Sequence, residues 1–75
     1  MDNVLSVRTT FKVDIHPCVD TSGFWAKCPM DSGCCFTDGE TVDETQKNMY
    51  ESVDLYLEDY PEITDYQLVF EVHDA

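Results

Sequence analysis

Between Thr41 and Pro61 the chain carries one apolar stripe at helical spacing, and on both sides of it apolar and polar residues alternate one by one. Val42, Gln46, Met49, Val53, Tyr56 and Tyr60 recur every three or four positions, while Asp43, Glu44, Lys47, Glu51, Asp54 and Glu58 fill the opposite side. One amphipathic helix flanked by period-two segments has to bury its stripe on a sheet. The alternating runs supply that sheet. Over Arg8–Ile15, Phe11, Val13 and Ile15 share a face opposite Thr10, Lys12 and Asp14. Over Gly23–Cys28, Phe24, Ala26 and Cys28 share a face, and Trp25 and Lys27 point the other way. Cys34–Asp38 suits a short third strand, and Tyr66–Val72 alternates again with Tyr66, Leu68, Phe70 and Val72 together.

The punctuation agrees with this division. Pro17, Asp20, Ser22 and Gly23 supply turn chemistry after the first strand, Pro29 and Gly33 bracket a loop after the second, and Gly39 closes the third. Thr41-Val-Asp-Glu44 is a capping box, whose Thr hydroxyl and Glu carboxylate each accept from a backbone amide left free at the helix start. Pro61 is expected to stop the helix, because its ring clashes with the preceding turn. The prediction is an α+β domain of order βββαβ, with an antiparallel sheet and one helix packed on one face. It spans residues 1–75 as a single domain, with an ordered core over about 8–73 and frayed ends in the first seven and last two residues.

Seventy-five residues hide only roughly 60% of the surface of the unfolded chain, so the core is thin. A hydrophobic fraction of 43% still argues for a folded domain. Unpaired sheet edges and a small core together favour a homo-oligomer. Charge is placed unevenly: residues 38–75 hold twelve of the sixteen acids and one cation, Lys47, which leaves that half at −11. Such a field repels phosphate and excludes direct nucleic-acid binding as the default; a basic protein is the partner it fits. No apolar run is long enough for a spanning helix, and the first residues lack the pattern of a signal peptide, so no membrane association and a cytoplasmic location are expected. Cys18, Cys28, Cys34 and Cys35 are then expected to be free thiols.

The run Gly23-Phe-Trp-Ala26, then Cys28-Pro29, Gly33-Cys34 and Thr37-Asp-Gly-Glu-Thr41, followed by a helix ending Leu55-Tyr-Leu-Glu58, resembles the HicB-type antitoxin domain. The resemblance covers most of the chain and rests on the order and spacing of these pieces. It implies a partial RNase H-like fold and an antitoxin that binds and neutralises a small basic ribonuclease of HicA type, with no cofactor. Many members continue into a C-terminal DNA-binding segment; this sequence ends at Ala75, so operator binding is not expected. The alternative is a stand-alone scaffold or regulatory module of the same fold whose partner is not a toxin.

An RNase H-like label raises the reading of a metal-dependent nuclease, which needs carboxylates converging from sheet and helix. The acids here fall mostly on predicted solvent faces, so catalysis is not expected. Glu44, Glu51, Asp54 and Glu58 are read instead as solvated charges or partner contacts, and Trp25, on the face opposite Phe24, as an interface anchor or a residue at the sheet margin. His16 and the four cysteines fall near one end of the first three strands, but no Cys-x-x-Cys pair is present and no metal site is assigned. Cys34 is read as structural rather than catalytic, since an acidic chain offers little to activate a thiol.

Overall fold

The computed structural model describes residues 9–30 and 33–74; Arg8, the ends expected to fray over residues 1–7 and at Ala75, and residues 31–32 lie outside them. Four strands and one helix follow in the order β1 (Thr9–Pro17), β2 (Phe24–Met30), β3 (Gly33–Gly39), α1 (Val42–Leu57) and β4 (Tyr66–Val72). They form one sheet of spatial order β3-β2-β1-β4 with the helix on one face. Among the described residues no helix is long and apolar enough to cross a membrane.

The sheet is mixed, which corrects the all-antiparallel expectation. β1–β2 and β2–β3 are antiparallel, but β4 runs parallel to β1, with Phe11 opposite Leu68 and Val13 opposite Phe70. The reason lies in the connection. A helix between β3 and β4 carries the chain back along the sheet, so β4 starts from the same end as β3 and therefore runs with β1.

Several boundaries also differ from the sequence reading: β1 runs on to Pro17 instead of ending at Ile15, and β3 gains Gly33 and Gly39. β2 continues through Pro29 to Met30 rather than ending at Cys28. Its register with β1 ends at Lys27 while its register with β3 goes on, so Pro29 sits where the strand is paired on one side only, a position that tolerates a missing N–H. The helix ends at Leu57, four residues before Pro61, and the chain turns through Tyr60 N–H to Leu57 C=O and Ile63 N–H to Tyr60 C=O hydrogen bonds.

The core is the layer between α1 and the inner sheet face: Val13, Ile15, Ala26, Cys28, Cys35, Met49, Val53, Leu57 and Leu68. Val13, Ile15, Ala26, Cys28 and Leu68 are inward as alternation placed them, while Cys35 joins them from β3, whose faces the sequence left unassigned. On the helix the buried line is Thr45, Met49, Val53 and Leu57, with Val42, Gln46, Tyr56 and Tyr60 half-buried beside it. Thr45 can be fully buried because its hydroxyl donates to Thr41 C=O at 2.8 Å, so no hydrogen-bonding group is left unpaired where the helix start meets the end of β3.

The helix start forms as its residues demand. Thr41 is extended and its hydroxyl accepts from Glu44 N–H at 3.0 Å, while Glu44 reaches back to Glu40 N–H at 2.6 Å, one residue earlier than the usual box. Thr41→Ala should cost about 1 kcal/mol in a urea titration, and Thr41→Ser should be close to neutral. Equal midpoints for the Ala and Ser variants would show that the hydroxyl contributes nothing.

Candidate functional site

Two surfaces stand apart from the core. The first is the outer side of α1. Glu44, Lys47, Glu51, Asp54 and Glu58 are all exposed and follow one another at spacings of three or four, so they share one side of the helix. Lys47 is the only cation of the helix. Leu55, 67% exposed, lies four residues after Glu51 and three before Glu58 and directly follows Asp54, an apolar point beside carboxylates. The last turn holds no basic residue, so nothing offsets the unfavourable position of Glu58 at the negative end of the helix.

These acids are not equivalent. Glu44 is engaged by the helix start, and Asp54 accepts a hydrogen bond from the Tyr66 hydroxyl of β4. Burial and that bond hold the Tyr66 phenol well above its usual range, so it remains a donor to Asp54. Glu51 and Glu58 project from the helix with neither role.

The second surface is the sheet face turned away from α1. Alternation and register place on it, in rows across β3-β2-β1-β4, Asp38, Trp25, His16 and His73, and next to them Phe36, Lys27, Asp14 and Glu71. Trp25 stacks on His16 with ring centroids 4.6 Å apart, and His16 stacks on His73 at 4.5 Å with the rings 8° from parallel. His73 Nε2 lies 2.9 Å from Asp14 Oδ1, and Lys12 Nζ lies 2.9 Å from Glu71 Oε1. The hydrogen bond from His73 holds the Asp14 carboxyl below its ordinary range, against the opposing effect of burial. Lys12 does the same for Glu71 and is itself raised by the pairing. Phe36 is 62% exposed and Val69 48%, so this face is left open by the fold.

Trp25 is therefore where the sequence reading put it, on the side opposite the core, but α1 and the whole sheet separate it from Glu44, Glu51, Asp54 and Glu58. No single flat partner surface touches both groups.

All four cysteines are free thiols. Cys35, not Cys34, is the structural one: Cys35 is buried opposite Cys28 in the β2–β3 register, and Cys34 faces solvent. Burial pushes the Cys28 thiol up to about 11 and raises Cys35 as well, so neither offers a thiolate near neutral pH. The described residues that group as metal-type ligands are Asp14, Glu71 and His73, with no cysteine among them. Sequence reasoning missed this group and Leu55. A signal for the first was present: Asp14-Ile-His16 and Glu71-Val-His73 repeat an acid-x-histidine spacing that puts both side chains of each pair on one strand face.

Comparison with protein-family models, with curated proteins and with solved structures finds no match to this chain.

Proposed function

We propose that this chain is an antitoxin-type protein that binds a small basic ribonuclease of HicA type through the outer side of α1 and occludes it. The observation that carries the reading is the exposed row Glu51, Asp54 and Glu58 around Leu55, on a helix with five acidic residues through its cap and one lysine. A negative rim speeds encounter with a positive partner and selects against wrong ones, and an apolar centre supplies the contact that excludes water. Support also comes from the strand, strand, strand, helix, strand order, which is the order the HicB resemblance implies. The expected homo-oligomer stays in this reading, since β3 and β4 are both edge strands of the described sheet. The alternative of a scaffold with a non-toxin partner draws on the same helix face; the identity of the protein that co-purifies separates the two.

The test is co-expression with the short basic reading frame nearest the gene, followed by affinity measurement and an RNA-cleavage assay. Glu51→Lys/Glu58→Lys should weaken binding at least about tenfold, or about 1.4 kcal/mol, and release the cleavage activity. Affinity should also fall as salt rises, since exposed charges are screened. A partner held equally by the charge-reversed protein would remove the helix face from the interface, and a partner without ribonuclease activity would favour the scaffold.

A further inference from the structure

The geometry points to a binding site for one zinc-type divalent cation on the open sheet face, formed by Asp14, Glu71 and His73. It stands independently of the antitoxin reading. Asp14 and Glu71 are register partners on neighbouring parallel strands, and the period of two carries His16 and His73 to the same side one step further along each strand. Two acid-x-histidine pairs thus lie side by side, joined only because β1 and β4 run in the same direction.

The ligand atoms of Asp14, Glu71 and His73 already lie within 4.8 Å of one another. Zinc bonds of about 2.0–2.2 Å in a tetrahedral site put ligand atoms about 3.4 Å apart, so rotations of the side chains close the set without moving the strands. His16 lies parallel to His73, with Trp25 packed on its other face, so the stack backs and orients the His73 imidazole, and water would fill the fourth position of a three-ligand site. The competitor is Lys12 on Glu71. Both side chains of that pair are more than half exposed, and such a pair contributes little to stability, so exchanging it for a metal costs little. An imidazole with two carboxylates suits zinc, cobalt or nickel, whereas calcium and magnesium prefer oxygen ligands throughout.

The full chain, freed of metal, is titrated with zinc chloride while the imidazole resonances of His16 and His73 and the fluorescence of Trp25 are followed. Zinc should shift the His73 imidazole directly and, through the ring stack, the His16 resonances and the Trp25 emission. Cobalt chloride should give visible bands without the strong thiolate-to-metal absorption of cysteine ligation. His73→Ala should weaken zinc binding roughly 100-fold, beyond most effects of changing an outer partner of a metal ligand, and Asp14→Asn, which keeps shape and hydrogen bonding, should weaken it in the same direction. Cys18→Ser/Cys34→Ser should leave it unchanged. Zinc that shifts no imidazole in the wild-type chain, or binding that follows the cysteine variant and survives His73→Ala, overturns the proposal.

Discussion

Ile15→Ala is expected to remove about 4 kcal/mol of folding stability, towards the top of the range for truncating a buried isoleucine. Ile15 is fully buried in β1, with Ala26 of β2 opposite it on one side and Val72 of β4 on the other, and with the helix above. A strand bonded on both sides cannot collapse into the space that a lost side chain leaves, so most of the cavity remains. A chain of this length is expected to have about 4–11 kcal/mol in all, so the variant keeps between about 0 and about 7 kcal/mol and its urea midpoint should fall steeply. Trp25, the sole tryptophan, reports the transition by fluorescence in urea. Val69→Ala is the control: Val69 lies on the open face, 48% exposed, and should change stability by no more than about 0.5 kcal/mol. Similar losses for the two variants would mean that the buried layer does not lie between α1 and the sheet.

Gly39→Ala should cost about 3 kcal/mol, through contact alone. A Cβ at Gly39 would lie 2.7 Å from Thr45 N and from Thr45 Oγ1, and 3.0 Å from Thr45 Cα. Those atoms belong to the first turns of α1, where Thr45 N–H and its hydroxyl both donate to Thr41 C=O. The added methyl therefore has to push the helix start off the end of β3, and overpacking of that kind costs about 1–3 kcal/mol or more. No glycine of the chain has a positive φ, so the effect is not a conformational one. Gly33→Ala, where a Cβ meets nothing within 4 Å, should be neutral or gain about 0.4–1 kcal/mol by restricting the unfolded chain. Thermal melts of the two variants decide the matter, and a Gly39→Ala protein as stable as wild type would contradict the close approach.

The faces of the strands were legible because burial on one side imposes a period of two: Val13, Ile15, Ala26, Cys28 and Leu68 are inward as read, and Trp25 and Lys27 outward. The helix start was equally legible, since Thr41 and Glu44 make their contacts with residues a few positions away. Its end was not. Tyr60 kept the apolar spacing, but it packs from the turn after Leu57, and a side chain can join the core without its backbone being helical. Strand direction is also invisible in the residues of Tyr66–Val72, because pairing partners alone fix it. That is why the His16–His73 stack and the Asp14–His73 contact, made across the parallel pair, escaped a reading that took each segment in turn. Of the residues expected at a partner surface, the acids could be placed on one helix side from spacing. Leu55 could not be singled out as their neighbour until its exposure was known.

Parallel pairing of β1 with β4 ties the start of the domain to its end: Asp14 meets His73 across 59 positions. On the ribosome, at about 5–20 residues per second, Phe11–Ile15 would emerge roughly 3–12 s before the segment that covers their free edge. Once Gly33–Gly39 has followed, and until Tyr66–Val72 arrives, the nascent chain can pair β1, β2 and β3 but leaves β1 as an open apolar strand at the margin. Folding then waits on a late, long-range closure, which makes the unfinished polypeptide, more than the mature one, the form most exposed to aggregation and to capture by chaperones.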